Sequence, residues 1–513
     1  MPKSEFYARR LVKGSVIVFT AYVASEIVGV FLRMFLTRSL TVAEYGLFYF
    51  IFAFISFLLL FRNLALGNAL VKYIPEFVVR KQYAKIKSSM ISALLVQAAL
   101  GLIISAALLV FSDHIALAVF RTLDASLPIK ILSIWFFVAS AYNIVQDTFR
   151  GFQNMSAYAS INFFNIASIL LLAMFFVGVL GLGVSGVAFA YLAATVVMGV
   201  SGLTFLISRY QHVFREKASI TKPLLKKLLL FAIPIFIGGL GDLIVQYTDT
   251  LTIGVFRTLP EVGYYQAAQP AAQMIRFFPL ALGVVLFPMI SELWARRKLK
   301  LMGQTLHFLT KFTFILIMPA AFVFIAFPNT VINLLFGSEY IAGAMALQIL
   351  GVTAIVHALY HIFSCAIVGI GRPIVITKVV ALMACFNLVG DLTLTPLYGI
   401  EGAAAATLGA FLIGLFLMFY YTRKFIKFTV PALPLLKTLV GGVLTLLFIF
   451  GLKSILALPP WPEAFAVMIL GLLFYGGWIL ATKTITKDDL RLITRIVPMP
   501  KWLVRIAERF VRE

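Results

Sequence analysis

The chain has 513 residues, of which 62% are hydrophobic and only 12% are charged, and its mean hydropathy is +1.02. This composition excludes a soluble enzyme or a soluble binding domain, and it predicts an all-α polytopic membrane protein. The formal net charge of +23 is compatible with nucleic-acid binding, but the positions of the basic residues along the chain indicate another cause.

Apolar segments long enough to cross a bilayer as helices recur along almost the whole chain, and about fourteen of them can be distinguished. Their approximate ranges are 14–37, 45–71, 88–111, 128–149, 157–181, 184–208, 228–256, 264–290, 306–328, 341–369, 373–395, 400–421, 433–457 and 463–482. These segments leave little sequence for a soluble domain.

The basic residues follow the alternation of these helices across the membrane. If the N-terminus is cytoplasmic, the cytoplasmic segments contain about 35 of the 43 Lys and Arg residues, and the opposite loops contain about five. The positive-inside rule therefore predicts cytoplasmic N- and C-termini in the cell membrane, and it explains the net charge without nucleic acid. The same charges favour contact with anionic membrane lipids.

The first two predicted helices carry charges at membrane depth. Glu26 and Arg33 are seven residues apart in the first helix and therefore share one face, and Arg62 lies in the second helix. A charge at this depth costs at least a few kcal/mol, so it faces a protein interior or a wet cavity. Two interpretations stay open here: an ion pair that orients neighbouring helices, or a polar cavity for a charged substrate.

Three short matches at nearly one spacing indicate an internal repeat. RSLTVAEYGLF (38–48) resembles RTLPEVGYY (257–265), and two further pairs match at offsets of about 218 and 216 residues. A unit of about 217 residues contains six helices, so both copies have the same orientation. The sequence thus predicts two six-helix lobes in a parallel repeat, related by an axis along the membrane normal, with the transport pathway between them.

These patterns divide the chain into five segments. They are an N-terminal lobe (1–208), a basic cytoplasmic linker (209–227), a C-terminal lobe (228–422), two extra helices (432–482) and a C-terminal tail (483–513). In the tail, Trp502 and Phe510 belong to an apolar face, and basic residues make another face. This predicts an amphipathic helix in the plane of the cytoplasmic headgroups.

Polar side chains recur at helical spacing in the second half. The seventh and eighth predicted helices carry Asp242, Gln246 and Asp249, and Gln266, Gln269, Gln273 and Arg276. The glutamine stripe ending in arginine indicates a face towards water or a polar ligand, with hydrogen bonding between helices as the alternative.

Helices ten to twelve add a further polar group. His357 and His361 have the i, i+4 spacing of metal ligands, but packing histidines or a proton relay fit better, because no carboxylate or thiol partner is evident. Asn387 and Asp391 share this spacing in helix eleven, and Thr407 follows in helix twelve. Their oxygen-bearing side chains suit a hard monovalent cation or a proton.

No catalytic motif is evident: the sequence lacks a Gly-rich phosphate loop, HExxH and a nucleophile elbow. We therefore expect no enzyme and no cofactor apart from Na⁺ or H⁺ as a coupling ion. Without an ATPase module, transport must run on an ion gradient, the membrane potential or the gradient of the substrate.

The run RMFLTRSLTVAEYGLFYFIFAFISFLLLFRNLALGNALVKYIPEF (33–77) resembles the polysaccharide transporter (Wzx-like) branch of the multidrug/oligosaccharidyl-lipid/polysaccharide (MOP) exporter superfamily. FPMISEL (287–293) is similar to the end of helix eight in that family. The resemblance implies flipping of polyprenyl-(pyro)phosphate-linked oligosaccharide from the cytoplasmic to the outer leaflet.

Related lipid II flippases place arginines in helices one, two and eight, and Arg33, Arg62 and Arg276 occupy similar positions. The resemblance thus implies that these arginines bind the phosphates. We expect Glu26 to hold Arg33 in the empty site, and Gln266, Gln269 and Gln273 to contact sugar hydroxyls. The resemblance also implies a sodium site. Its ligands match Asp249, Asn387, Asp391 and Thr407 in this chain, with Asp242 as a rival to Asp249.

Three alternatives stay open: a flippase for a lipid II-type peptidoglycan precursor, an ion-coupled exporter of organic cations, and a membrane glycosyltransferase or polymerase. Three arginines at depth favour an anionic substrate over a cation, and short outer loops disfavour the enzymes. We expect a monomer whose partners are its lipid-linked substrate, membrane lipids and, as further candidates, glycan polymerases or transferases.

Overall fold

The structure is a computed structural model that describes residues 3–426, 428–455, 460–486 and 489. The described residues form helices, turns and connecting segments and contain no strand. The helices are α1 (Lys3–Ser39), α2 (Val42–Asn63), α3 (Leu66–Val79), α4 (Tyr83–Val110), α5 (Ser112–Ala118), α6 (Ser126–Gly151), α7 (Met155–Ala173), α8 (Gly183–Arg209), α9 (Gln211–Phe214), α10 (Lys222–Phe256), α11 (Leu259–Gln273), α12 (Phe277–Ala295), α13 (Leu299–Ala326), α14 (Pro328–Phe336), α15 (Ala344–Gly369), α16 (Pro373–Phe425), α17 (Ala432–Ile455) and α18 (Pro460–Ala481).

The all-α membrane class predicted from composition is confirmed. Within the described residues, 12 helical segments are long and apolar enough to cross a membrane. One of them, α16, has 53 residues and a non-helical Gly399 (φ 61°, ψ −136°) near its middle. Gly399 divides α16 into two arms, each long enough for its own span. The total of fourteen spans and the parallel repeat stay predictions.

The chain folds into two compact units, the first comprising residues 1–267 and 383–406. In this unit α6 packs against α3, α4 and α8. One apolar core joins α3, α4 and α6 through Leu70, Ile86 and Phe149, all of which are buried. The segment after α9 lies against the start of α4, because Lys87 Nζ donates to the carbonyl oxygens of Phe214 (2.7 Å) and Glu216 (2.8 Å).

The second unit comprises residues 268–382 and 407–513. Here α13 packs against α15 and α17, and α17 pairs with α18. Tyr475 of α18 donates to the carbonyl oxygen of Ile315 (3.0 Å), and Lys453 of α17 donates to that of Ala326 (2.8 Å). The two extra helices are therefore attached to α13 by polar contacts as well as apolar packing.

The division into two lobes, a linker and a tail stays a prediction. Most of the amphipathic helix expected in the tail, including Trp502 and Phe510, lies outside the described residues.

Helix two differs from the single apolar segment expected over 45–71. It is broken into α2 and α3 at Leu64 and Ala65, which both have left-handed backbone conformations with φ of 44° and 53°. At the other end, α2 begins with a capping box in which Thr41 and Glu44 satisfy each other's backbone N–H groups. The sequence TVAE carries the residues for that cap, whereas nothing in RNLALG indicates a break before the glycine.

Candidate functional site

Arg33 is anchored by neutral oxygen atoms and an aromatic ring. Its Nη1 donates to the carbonyl oxygen of Gln266 (3.1 Å) and to the hydroxyl of Tyr45 (3.4 Å). The guanidinium carbon lies 4.3 Å from the centroid of the Tyr49 ring. Tyr45 also donates to the Gln266 carbonyl oxygen (3.3 Å), so α1, α2 and α11 meet at this point. A cation over a tyrosine face is stabilised by the ring quadrupole.

No carboxylate neutralises Arg33 among the residues that the structure describes. Glu26, expected to hold Arg33 in an empty site, makes no ion pair or hydrogen bond within the described part of the chain. Tyr49 and Tyr191 are the nearby groups that interact electrostatically with Arg33, together with Tyr45. The sequence reasoning missed these tyrosines, although Tyr45 stands inside the repeated Glu-x-Gly motif.

Arg62 lies inside the first unit, with a relative exposure of 0%. Its Nη1 donates to the carbonyl oxygen of Phe136, and its Nε and Nη2 donate to Asn63 Oδ1 (3.0 and 2.8 Å). Its guanidinium carbon is 4.9 Å from the Phe136 ring centroid. Arg62 therefore contacts the interior of the helix bundle in this conformation, and no acid pairs with it among the described residues.

The predicted stripe continues along α11 through Gln266, Gln269 and Gln273, and Arg276 lies beyond the end of that helix. Gln266 belongs to the first unit, is buried, and donates through Nε2 to Thr250 Oγ1 (2.6 Å). Gln269 and Gln273 are half-buried residues of the second unit. Helix α11 ends at Gln273, and Met274–Arg276 forms a 3₁₀ turn, which changes the angular spacing between side chains.

Arg276 also belongs to the second unit, where its guanidinium carbon lies 5.7 Å from the Phe411 ring centroid. The rings of His357 and His361 stack with centroids 6.1 Å apart, and His361 Nε2 is 3.5 Å from Cys365 Sγ. No group of three or more His, Cys, Asp or Glu side chains in the described ranges could hold a metal ion. Packing histidines and a proton relay both stay predictions for this pair.

The structure brings together three of the four residues of the predicted cation site. Asp249, Asn387 and Asp391 are all 0% exposed. Asn387 Nδ2 donates to Asp249 Oδ1 (3.3 Å), and the hydroxyl of Tyr265 donates to Asp249 Oδ2. The Asp391 carboxyl group lies close enough to that of Asp249 for the two to interact electrostatically. Thr407 belongs to the second unit.

No donor of the described residues reaches either oxygen of the Asp391 side chain. Two carboxylates held together in an apolar environment repel each other if both are charged. The side chain of Asp242, the rival of Asp249, is exposed and makes no hydrogen bond or ion pair in the described ranges, so it does not join this pair. Carboxylate and amide oxygens form a donor set for a hard cation such as Na⁺.

The two copies of the Glu-x-Gly motif meet within the first unit. A methyl group added at Gly46 would overlap the carbonyl oxygen of Leu259 and lie 2.8 Å from the backbone nitrogen of Gly263. A methyl group at Gly263 would lie 2.5 Å from the carbonyl oxygen of Val42. Both glycines are needed because the backbones of the two motifs are in direct contact. The sequence contains both motifs but does not reveal that they touch.

Comparison with known proteins gives a family and a fold. A family model described as "Polysaccharide biosynthesis protein" matches residues 11–294. The chain is 26% identical over 486 residues to an uncharacterized membrane protein of Methanocaldococcus jannaschii, covering 92% of this chain and 95% of that protein. It is 22% identical over 263 residues to the probable low-salt glycan biosynthesis flippase Agl15 of Haloferax volcanii, covering 51% of this chain and 56% of that protein.

Among solved structures, the lipid II flippase MurJ in an inward closed conformation superimposes with a TM-score of 0.74 at 16% identity. The match covers 90% of this chain and 98% of that chain. At this identity the likeness establishes the fold alone. Together these matches confirm the family resemblance read from residues 33–77.

Proposed function

Because the chain belongs to the polysaccharide biosynthesis protein family of the MOP exporter superfamily, a group of membrane transporters, we propose that it flips polyprenyl-(pyro)phosphate-linked oligosaccharide from the cytoplasmic to the outer leaflet. The observation that carries this proposal is Arg33. It is a cation in a membrane-spanning helix, and its contacts among the described residues are tyrosines and a carbonyl oxygen, not an acid.

A substrate phosphate would supply the negatively charged partner that Arg33 lacks among the described residues. Moving a bare phosphate through the apolar part of a bilayer is prohibitively costly, so the pathway must offer positive groups. Arginine stays protonated when desolvated, and its planar fork binds two phosphate oxygens at once. We assign Arg33 as the first phosphate contact, and Arg62 and Arg276 as contacts made during the transport cycle.

The relatives favour a lipid-linked glycan over other anions. One similar protein is described as a glycan biosynthesis flippase, and a protein of the same fold is a lipid II flippase. In the proposed substrate, phosphate joins the polyprenyl chain to the sugar. Gln269 and Gln273 are half-buried, so their amides are assigned to sugar hydroxyls, while the lipid tail stays in the membrane.

The substrate crosses the membrane by alternating access, and the contact between Gly46 and Gly263 supports this mechanism. In the predicted topology these glycines lie on the outer side, and their motifs belong to different repeats. Separation of the two motifs would open the pathway outwards, and the Arg33–Gln266 and Tyr45–Gln266 hydrogen bonds would break in the same step. The substrate then leaves towards the outer leaflet.

The buried carboxyl pair provides coupling to an ion. Na⁺ or H⁺ at Asp249 and Asp391 removes their mutual repulsion, and Asn387 supplies a further oxygen ligand for Na⁺. Binding that differs between two conformations shifts their populations by the difference in affinity. The coupling ion therefore biases the alternating-access equilibrium.

The second candidate, export of organic cations, is favoured by one observation: Asp242 presents an exposed carboxylate in a membrane-spanning helix. The uncompensated charge of Arg33 disfavours it, because a cationic substrate would be repelled from the same unit. Flipping of a lipid II-type precursor keeps the same chemistry with another sugar. A monomer, with glycan polymerases or transferases as partners, completes the proposal.

Reconstitution in liposomes tests these candidates against each other. Purified protein is offered three labelled compounds in parallel: a polyprenyl-pyrophosphate oligosaccharide, a polyprenol oligosaccharide without phosphate, and a hydrophobic organic cation. We expect movement of the phosphate-bearing lipid alone. Movement of the cation without the phosphate lipid would establish the exporter instead.

A further inference from the structure

The break in helix two places unusual backbone and charge features at one point. Leu64 and Ala65 are consecutive non-glycine residues with left-handed backbone angles, a conformation that L-residues avoid for steric reasons. Strained residues of this kind persist only where the surrounding structure fixes them, and they cluster at switch regions. The contacts around the break therefore hold these two residues in their left-handed conformation.

Each of the two helix ends at the break lies beside a charge of the stabilising sign. Arg62 is in the last turn of α2, where the helix dipole is negative. Asp147 of α6 lies against the first turn of α3, where the dipole is positive: a methyl group at Gly67 would overlap Asp147 Oδ2 and lie 2.5 Å from its Cγ. Helix α3 has no side-chain cap of its own, so Asp147 is its negative group.

Neighbouring residues hold these two charges in place. Arg150 Nη1 donates to Asp147 Oδ1 (3.0 Å), which fixes the carboxylate. Gln97 Nε2 donates to the carbonyl oxygen of Asn63 (3.3 Å), next to the amide that binds Arg62. Gly101 leaves room for the stem of Arg62, since a methyl group there would lie 3.3 Å from Arg62 Cδ.

The resulting state combines favourable and unfavourable interactions. The left-handed residues and the buried guanidinium without an acid oppose it, whereas the two dipole contacts and the hydrogen bonds of Arg62 favour it. Burying a charge without a counter-ion costs free energy, which the buried state of Arg62 must offset with its other contacts. A ligand that pairs with Arg62 outside the bundle would shift this balance, because it adds a favourable interaction to the state in which the guanidinium has left the bundle.

We propose that Asp147 is a positioning residue for Arg62. It stabilises the break at Leu64–Ala65, and the break keeps the Arg62 guanidinium buried in the bundle. Binding of a substrate phosphate moves the guanidinium out of the bundle. When the phosphate binds, Leu64 and Ala65 adopt right-handed helical angles, α2 and α3 become continuous, and Arg62 turns towards the ligand. This inference rests on the proposed function for the identity of the anion. It assigns to the break in helix two the role of a switch between empty and loaded states.

Spin labels on either side of the break test the switch. Phe61 and Val79 are 40% and 83% exposed, so cysteines at these sites, in a background with Cys365→Ser and Cys385→Ser, can be labelled in the full chain. A continuous helix would separate them by about 27 Å at 1.5 Å per residue, and a break shortens this distance. The distance is measured in liposomes that contain undecaprenyl pyrophosphate, undecaprenol or neither.

We expect the pyrophosphate lipid to populate the distance of a continuous helix and undecaprenol to leave the distance unchanged. Asp147→Asn and Gly67→Ala should both show the long distance without ligand, because both remove the carboxylate from the α3 terminus. Asp147→Glu should restore part of the wild-type response. Gly29→Ala is the matched control, since nothing lies within 4 Å of a methyl group there.

Two results overturn the switch. One is a wild-type distance that does not change although labelled pyrophosphate lipid binds and the protein flips lipid-linked oligosaccharide; the proposed function then stands and the switch fails. The other is a folded Asp147→Asn protein with the wild-type distances in all three liposomes. If the protein neither binds the pyrophosphate lipid nor flips its oligosaccharide derivative, the proposed function fails and the switch fails with it.

Discussion

Replacing Gly46 by alanine should separate the two Glu-x-Gly motifs. The added methyl group would overlap the carbonyl oxygen of Leu259 and lie 2.8 Å from the nitrogen of Gly263, and both are backbone atoms that cannot move aside as a flexible side chain can. The contact between the motifs must therefore open or distort. In Gly263→Ala the added methyl group would meet the backbone of Val42, so this variant should also open or distort the contact.

The size of the effect follows from the overlap. Overpacking a tight contact costs about 1–3 kcal/mol. If the protein has a second conformation in which the motifs are apart, only the conformation with the contact bears this cost. The equilibrium between the two should then shift about 5- to 150-fold towards the separated form.

Cysteine labelling from the outer side measures the shift. A Val42→Cys reporter, beside Gly263, is placed in a chain with both native cysteines replaced by serine, and its reaction rate with a membrane-impermeant maleimide is recorded. We expect Gly46→Ala to increase the rate several-fold or more. Gly29→Ala makes the same chemical change in α1 without a neighbour within 4 Å and should leave the rate unchanged. Equal rates for the two variants, both folded, would show that the methyl group at residue 46 leaves the contact between the motifs closed.

Further predictions concern the phosphate contact of Arg33, the ion site, the attachment of the tail and the break at Gly399. Arg33→Lys should restore only part of the flipping lost in Arg33→Ala, because charge returns without the planar fork; full activity of the lysine variant would contradict bidentate binding. Asp391→Asn should remove any sodium or pH dependence of transport, measured as flipping rate against each ion gradient, and unchanged dependence would exclude the carboxyl pair as the coupling site. Asp489→Asn leaves the buried Lys311 ammonium without its partner at 2.5 Å and should lower stability by about 3–5 kcal/mol in thermal or denaturant unfolding. Burial tends to raise the pKa of Asp489, but hydrogen bonds from Lys311 and Thr486 outweigh it and hold the pKa below its ordinary value. The pair therefore stabilises the fold fully above the ordinary carboxyl pKa of about 3.9, and this stabilisation is lost only as the pH falls through the lower pKa of Asp489 in the folded protein. A loss of stability beginning near neutral pH would contradict the assignment. Gly399→Ala places a methyl group on a backbone with φ of 61° and ψ of −136°, within 2.9 Å of a Glu261 oxygen, so a destabilisation of about 1–3 kcal/mol is expected. An unchanged midpoint of thermal unfolding would show that the break tolerates alanine.

The sequence predicted the elements whose signals are local or periodic. Composition predicted the membrane helices, and the i, i+4 spacing placed Asn387 and Asp391 on one face. The structure adds that Asp249, and not Asp242, lies with them, a choice that the sequence left open because both aspartates share a face of helix seven. The repeated Glu-x-Gly motif was visible, but contact between its copies depends on tertiary packing.

Other expectations depended on which way a side chain points, and spacing alone does not determine this. Glu26 and Arg33 share a helix face, yet the described structure pairs Arg33 with tyrosines and a carbonyl oxygen instead. For Arg62 the sequence left an ion pair and a polar cavity open, and the structure places its guanidinium inside the bundle, where it donates to the Phe136 carbonyl oxygen and to Asn63. The backbone is left-handed at Leu64 and Ala65, two and three residues further along the chain. Neither leucine nor alanine signals a left-handed conformation, so no sequence pattern could reveal this break.

The most direct test of the central claim is the flipping rate per folded molecule of Arg33→Ala in liposomes. Wild-type and variant proteins are purified, their folded fractions are matched by size-exclusion chromatography and thermal unfolding, and the movement of a labelled polyprenyl-pyrophosphate oligosaccharide is followed in both. If Arg33 binds the substrate phosphate, the folded variant loses nearly all flipping while wild-type protein flips. A folded Arg33→Ala protein that flips at the wild-type rate would show that Arg33 is structural and that the phosphate crosses without it.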